Sequence, residues 1–174
     1  PDTYLEKLIV GPPAAGRINI DFPVDANLQI IADSLNRQIS DLTVIVLDRE
    51  RHRELITDIR EAGARIKLIG DGDVVAAVSV AVAGTADHVV MGTGGAPEGV
   101  LAAAALRCLG GEIQARFQPR NDEEISRLQA MGIDNYKTRI LTTSDLASGE
   151  MISFSMTGVT DGELLRGVRF FGGG

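Results

Sequence analysis

From residue 42 onward, short runs of β-branched residues alternate with longer stretches of helical periodicity, and this order limits the possible fold more than any other feature. Strands are predicted at residues 42–48, 64–71, 88–95 and 112–118, and helices at residues 49–63, 73–85, 97–111 and 122–132. Such alternation is typical of a mostly parallel sheet with helices on both faces, so the sequence predicts an α/β domain. Later segments of strand-like composition are also predicted to be strands, at residues 137–143, 151–158 and 167–171.

The first forty residues lack this alternation. They contain a Gly-Pro-Pro-Ala-Ala-Gly break at residues 11–16 and then a helical pattern near residues 26–35. We therefore interpret residues 1–40 as a linker with an opening helix, and residues 41–174 as one α/β domain.

Composition and charge exclude several classes of partner. The net charge is −7, with no Trp and only 4% aromatic residues, whereas nucleic-acid binding depends on basic residues and stacking platforms, so no nucleic-acid partner is expected. The longest apolar run, near residues 74–84, is much shorter than a membrane span, and no membrane association is expected. The single cysteine, Cys108, cannot form an intramolecular disulfide, which is typical of a reducing compartment.

Three of the loops that follow predicted strands carry residues suited to binding an anion or a metal ion. In open α/β sheets, ligands bind beyond the carboxyl ends of the strands, where these loops lie. The first loop contains Arg49, Arg51 and His52, and arginine forks match phosphate oxygens in a bidentate way. The simpler alternative is a solvated first turn of a helix, although arginine at a helix N-terminus opposes the helix dipole.

The second and third loops combine glycine with carboxylates. Asp71 and Asp73 flank Gly72 at a strand-to-helix turn, where they could coordinate a divalent cation, accept hydrogen bonds from sugar hydroxyls, or simply cap the helix. The third loop, residues 91–99, is rich in glycine, whose exposed backbone N–H groups can hold a phosphate. Within it, Glu98 could bind a metal ion near that phosphate or only complement the helix dipole.

At these loops the sequence resembles the class II (GlpX-type) fructose-1,6-bisphosphatases and their dual fructose/sedoheptulose bisphosphatase relatives. The resemblance covers essentially the whole chain, through the segments PDTYLEKL, LDRERHRELI, EAGARIKLIGDGDV, GTGGAPEGVLAAAALRCLGG and TGVTDGELLRGVRFFGGG. It implies a cytoplasmic, Mg²⁺- or Mn²⁺-dependent enzyme that removes the 1-phosphate from a sugar bisphosphate in gluconeogenesis or the reductive pentose phosphate (Calvin) cycle. It also implies the second domain of a sugar-phosphatase fold related to inositol monophosphatases. A homodimer or homotetramer is expected.

The resemblance further implies roles for individual residues. The residues implied to contact the substrate are Tyr4, Arg49, Arg51, Asp71, Gly72, Asp73 and Gly95. Among them, Arg49 and Arg51 match the basic pair that holds the distal phosphate, and residues 71–73 match the turn that hydrogen-bonds the sugar. Glu98 matches a metal-binding glutamate, and no catalytic residue is assigned within the chain.

The chain departs from the family pattern at two points. Glu50 stands between Arg49 and Arg51, where family members often have Pro, and its pairing with an arginine would weaken phosphate binding. The family's other metal ligands and its water-activating acid lie upstream of the PDTY segment, so we expect this chain alone to be inactive and the longer protein to be the phosphatase. The alternatives are a non-catalytic sugar-phosphate-binding or regulatory module and an unrelated sugar-phosphate isomerase or transferase.

Overall fold

Residues 3–172 are described by the structure, which is a computed structural model. Pro1 and Asp2 of the PDTYLEKL segment and the last two glycines lie outside these residues. The strands are β1 (Tyr4–Val10), β2 (Thr43–Leu47), β3 (Arg65–Ile69), β4 (Val89–Gly95) and β5 (Glu112–Gln118). The helices are α1 (Val24–Ser34), α2 (Arg53–Glu61), α3 (Asp73–Ala81), α4 (Ala96–Leu109), α5 (Asp122–Ala130) and α6 (Thr143–Leu146). No helix within the described residues combines the length and apolarity needed to cross a bilayer.

The five strands form one sheet in the order β3-β2-β4-β1-β5. β2 pairs in parallel with β3 and β4, whereas β1 pairs antiparallel with both β4 and β5. Four strands therefore point the same way and β1 runs against them. The predicted α/β class, with its alternation of strands and helices after residue 42, is confirmed, and the sheet is mixed.

Apolar side chains form one packed layer on each face of the sheet, because helices cover both faces. α3, α4 and α5 pack on one face, and α1 and α2 on the other. β1 contributes to both layers, since Leu5 and Ile9 belong to the first and Leu8 and Val10 to the second. Successive side chains of a strand point to opposite faces, so a strand buried on both faces has no polar–apolar alternation in its sequence.

The interpretation of residues 1–40 as a linker with an opening helix is wrong for residues 4–10. Residues 4–10 form a strand that is paired on both sides, so they belong to the same sheet as the strands after residue 41. The segment does not look like a buried strand because Lys7, which is only 5% exposed, lies in its middle. The helix expected near residues 26–35 is present as α1.

Three predicted strands are absent from the described part of the chain, namely residues 137–143, 151–158 and 167–171. Leu141 makes only an isolated antiparallel bridge with Ala115 of β5. Met151 and Phe170 are almost fully exposed, so residues 151–158 and 167–171 have strand-like composition without a buried face. The preference of a residue for a strand depends on packing against neighbours, and these neighbours are missing here.

Gly11 follows β1 where the backbone passes close to α3. A Cβ atom on Gly11 would collide with the main-chain carbonyl oxygen of Val80, which cannot rotate away as a side chain can. We expect Gly11→Ala to lower the free energy of unfolding by about 1–3 kcal/mol, the usual cost of overpacking. Urea unfolding followed by circular dichroism measures this change.

The matched control is Gly70→Ala, because a Cβ atom on Gly70 would meet no other atom within 4 Å. This substitution should change the free energy of unfolding by less than about 0.5 kcal/mol. Equal effects of the two substitutions would contradict the steric role of Gly11.

Candidate functional site

The residues that the sequence predicts for the site lie along one edge of the sheet. The carboxyl ends of the parallel strands β2, β3 and β4 meet at this edge, and the antiparallel strand β1 begins there. Tyr4 is directly opposite Gly95 in the ladder between β1 and β4. The predicted residues along this edge are Tyr4, Arg49, Arg51, Asp71, Gly72, Asp73, Gly95 and Glu98.

Arg51 lies beside the ring of Tyr4. Its Nε and Nη2 atoms both donate to the carbonyl oxygen of Thr93, at 3.0 and 2.7 Å. Its Cζ atom lies 4.9 Å from the centroid of the Tyr4 ring. These contacts orient a guanidinium group that is exposed to solvent, and a cation in this position is attracted to the face of the ring. The structure therefore brings Tyr4 and Arg51 together.

Arg49 connects the first loop to the second, since its Nη2 atom donates to the carbonyl oxygen of Gly70 at 2.7 Å. Glu50 does pair with an arginine, but the partner is Arg53, at 2.8 Å, and both side chains are exposed. Within residues 3–172 neither Arg49 nor Arg51 forms an ion pair with a carboxylate. Glu50 therefore leaves the charges of both arginines uncompensated.

A buried ion pair lies next to the glycine-rich loop. The Nζ atom of Lys7 is 2.8 Å from Oδ2 of Asp73, and the two side chains are 4% and 13% exposed. A Cβ atom on Gly94 would lie 2.8 Å from that Asp73 oxygen, and one on Gly99 would lie 3.4 Å from Cε of Lys7. The two glycines thus provide the space for the pair. Lys7 was not predicted as a site residue, and the signal available was a charged residue between the apolar residues Leu5 and Leu8.

Neither aspartate of the second loop caps α3 with its side chain. The N-cap residue is Gly72, whose φ of 94° lies in the left-handed region that favours glycine. Asp71 accepts a hydrogen bond from the backbone N–H of Gly72 at 2.8 Å and so shapes the turn, while Asp73 pairs with Lys7. The alternative that these carboxylates simply cap the helix is wrong.

Glu98 is exposed in the first turn of α4. A Cβ atom on Gly95 would collide with the Glu98 carboxylate, so the glycine leaves room for that side chain. Carboxylate oxygen is a suitable ligand for Mg²⁺ or Mn²⁺. In the part of the chain that the structure describes, however, no three His, Cys, Asp or Glu side chains come together as a possible metal site. These residues therefore offer one donor and not a complete metal site.

The predicted site residues do not share one cavity. A cleft of about 820 Å³ is lined by Tyr4 and Arg51, and a smaller depression of about 270 Å³ borders Asp71 and Gly72. The predicted residues that line neither of them are Arg49, Asp73, Gly95 and Glu98. Of the two predicted arginines, the structure therefore places Arg51 in the same cleft as Tyr4. Neither the second loop nor Glu98 lines that cleft.

Arg120 is a basic residue at this edge that was not predicted from the sequence. It lies in the connection between β5 and α5, and its Cζ atom is 4.4 Å from the centroid of the Tyr4 ring. It lines the same cleft as Arg51. Its position depends on the pairing of β1 with β5, which no local pattern reveals.

His52 connects the first loop with the end of β4. Its Nδ1 atom is 2.7 Å from the carbonyl oxygen of Leu47, and its Nε2 atom accepts from the backbone N–H of Thr93 at 2.8 Å. This network assigns the proton of the neutral ring to Nδ1. Burial lowers the pKa of His52 below its ordinary value of 6.5, and the positive charge of Arg51 lowers it further.

Comparison with known proteins identifies relatives along the whole chain. The family model described as "Bacterial fructose-1,6-bisphosphatase, glpX-encoded" matches residues 1–174. The chain is 50% identical to the "D-fructose 1,6-bisphosphatase class 2/sedoheptulose 1,7-bisphosphatase" of Synechococcus sp. (strain JA-3-3Ab). It is 47% identical to the proteins of the same name from Crocosphaera subtropica and Synechocystis sp.. The resemblance drawn from the sequence is confirmed.

These matches cover 100% of this chain, but only 53% of the Synechococcus protein and 54% of the other two. The chain thus spans about half the length of the curated relatives it matches.

The two buried histidines, His52 and His88, are expected to make the free energy of unfolding depend on pH. Because the pKa of His52 is lowered in the folded chain, the unfolded chain takes up the proton first as the pH falls through about 6.5. His88 contributes in the same direction, since burial lowers its pKa as well. We expect the free energy of unfolding to decrease from about pH 7 to pH 5, with at most about 1.4 kcal/mol per pH unit from each histidine.

Urea unfolding at several pH values in this range measures the effect. His52→Gln can keep both hydrogen bonds without titrating, so it should reduce the slope of the unfolding free energy against pH. A second substitution, His88→Gln, removes the other histidine of the chain and should reduce the slope further. A slope that His52→Gln leaves unchanged would show that the folded chain does not hold this ring neutral.

Proposed function

Because the chain belongs to the glpX-encoded family of bacterial fructose-1,6-bisphosphatases, we propose that it is the substrate-binding part of a protein that hydrolyses the 1-phosphate of fructose 1,6-bisphosphate. The names of its curated relatives include sedoheptulose 1,7-bisphosphatase, so sedoheptulose 1,7-bisphosphate is proposed as a second substrate. The observation that carries the proposal is the pairing of Tyr4 with Gly95. Tyr4 lines the cleft that contains Arg51, and Gly95 directly precedes α4, whose first turn carries Glu98.

The phosphate that remains on the sugar is proposed to bind Arg51 and Arg49. Arg51 is already oriented by Thr93 and by the Tyr4 ring, so little side-chain freedom is lost when a ligand binds. A carbonyl oxygen orients a guanidinium group without cancelling its charge. Both arginines thus retain the charge that a phosphate group would neutralise.

The sugar is proposed to lie against residues 71–73 and the backbone of Gly95. Asp71 is exposed, and a carboxylate can accept several hydrogen bonds, so it has acceptor capacity left for sugar hydroxyls. Asp73 is held in one position by Lys7. Gly95 has no side chain, so a ligand can approach its backbone closely.

Glu98 is proposed to supply one oxygen ligand to Mn²⁺ or Mg²⁺. In phosphatases a divalent ion activates water and neutralises the phosphoryl oxygens. The other metal ligands and the water-activating acid are proposed to lie in the half of the relatives' length that this chain does not cover. Under this proposal the chain alone does not hydrolyse the substrate. The whole protein is proposed to be a cytoplasmic homodimer or homotetramer of gluconeogenesis or the reductive pentose phosphate cycle.

A non-catalytic sugar-phosphate-binding or regulatory module is the second candidate function. Both candidates are compatible with the described residues 3–172, which contain no three-ligand metal cluster. The two candidates differ in the full-length protein, since a binding module takes up the sugar phosphate without releasing inorganic phosphate.

Glu98→Gln in the full-length protein tests the metal role. Replacing a charged oxygen ligand by a neutral amide should lower phosphate release from fructose 1,6-bisphosphate in the presence of Mn²⁺ by roughly 100-fold or more. Glu123→Gln is the matched control, because Glu123 is also an exposed glutamate in the first turn of a helix. No release by the parent protein, or full activity in Glu98→Gln, would contradict the proposal.

Arg51→Ala in the same protein tests the phosphate contact. The loss of a charged hydrogen-bonding partner should raise KM for fructose 1,6-bisphosphate roughly 10- to 100-fold. Arg53→Ala is the control, since Arg53 belongs to the same stretch of chain but pairs with Glu50 in solvent. If Arg51→Ala and Arg53→Ala have the same KM, Arg51 does not contact the phosphate.

A further inference from the structure

The ring of Tyr4 lies next to two guanidinium groups that come from distant parts of the chain. The Cζ atom of Arg51 is 4.9 Å from the ring centroid and that of Arg120 is 4.4 Å from it. Two like charges that share one ring repel each other unless an anion lies close to them. Within residues 3–172, Arg120 has one carboxylate partner and Arg51 has none.

Arg120 is held in place by a buried carboxylate. Its Nε atom donates to Oε1 of Glu124 at 2.7 Å, and its backbone N–H donates to Oε2 at 2.9 Å. The hydroxyl of Thr3 donates to the same Oε2 atom at 2.9 Å. These hydrogen bonds, above all those from the Arg120 side chain, lower the pKa of Glu124 to about 2. Glu124 is therefore ionised at neutral pH and keeps Arg120 fixed.

The two partners differ sharply in exposure. The side chain of Glu124 is 1% exposed, whereas that of Arg120 is 49% exposed. Arg120 therefore presents part of its guanidinium group to the cleft of about 820 Å³ that Arg51 and Tyr4 also line. Three acids also line this cleft, Glu6, Glu54 and Asp58, and the carboxylate of Glu6 faces Arg116 at 3.7 Å. The acid nearest to Tyr4 along β1 thus has its own basic partner.

From this geometry we infer that Arg120 is a further substrate-binding residue, which acts with Arg51 on the phosphate group that remains on the sugar. Glu124 is then a positioning residue, because it holds the guanidinium over Tyr4 without reaching the cleft itself. Two planar guanidinium groups can each offer paired N–H donors to one phosphate, an arrangement that a single arginine cannot provide. The inference rests on the proposed function, since it assigns a role within the same site.

Steady-state kinetics of the full-length protein with Mn²⁺ test the inference. Arg120→Gln should raise KM for fructose 1,6-bisphosphate roughly 10- to 100-fold while kcat changes little. The Ki of fructose 6-phosphate, which keeps the distal phosphate, should rise by a similar factor. For p-nitrophenyl phosphate, which has a single phosphate, kcat/KM should stay at the parental value. Arg60→Gln, at the far end of α2 from the site edge, is the control for the loss of one exposed positive charge.

Arg120→Gln leaves Glu124 as a buried charge without its partner, which could disturb folding. The double substitution Arg120→Gln with Glu124→Gln removes both charges and retains an acceptor for Thr3 and for the backbone N–H of residue 120. It should show the same rise in KM and Ki. Parental KM and Ki in the double variant would overturn the assignment and leave Arg120 as a structural partner of Glu124.

The outcomes separate this inference from the proposed function. A parent protein that releases no phosphate from fructose 1,6-bisphosphate would overturn the proposed function. An active parent whose Arg120 variants keep the parental KM would overturn only the role of Arg120. A fall in kcat/KM for p-nitrophenyl phosphate equal to that for the bisphosphate would also overturn it, because that substrate has no distal phosphate.

Discussion

The pairing of β1 with β4 and β5 is the constraint on which the site depends. β1 runs against the other four strands, so its first residue lies at the edge where β2, β3 and β4 end. The register places Tyr4 opposite Gly95 and Lys7 opposite Gly92. A slip of one residue would move every side chain of β1 to the other face of the sheet. Lys7 would then lose Asp73 and Tyr4 would lose both arginines.

The charges at this edge fall into two groups that perform different tasks. Lys7 is buried and its charge is balanced by Asp73, so this pair positions a carboxylate and adds no net charge. Arg51 donates hydrogen bonds to the carbonyl oxygen of Thr93, which orient its guanidinium group and leave its charge uncompensated. Arg120 is paired with a buried carboxylate, that of Glu124, but its own guanidinium group is half exposed. A protein with a net charge of −7 thus still places two guanidinium groups, those of Arg51 and Arg120, beside one ring in the cleft.

Several residues of the proposed site could be located from the sequence because parallel strands end at one edge of a sheet, and loops that follow buried strands can be found from local periodicity. Arg51, residues 71–73 and Glu98 were located in this way, and the resemblance added their expected roles. Lys7 and Arg120 were not predicted, although both lie within reach of the same edge. Lys7 is in a strand without alternation, and Arg120 reaches Tyr4 only through the pairing of β1 with β5.

The sequence by itself determined the α/β class, the three loops with residues suited to binding an anion, a metal ion or sugar hydroxyls, and the family to which the chain belongs, because periodicity and motifs are local properties. Only the tertiary structure decided that residues 4–10 form an inner strand, that Arg120 joins Arg51 at Tyr4, and that residues 151–158 and 167–171 are not strands. The physical reason is the same in each case. A strand is stabilised by partners and by burial supplied from distant parts of the chain, and its own composition carries little of that information.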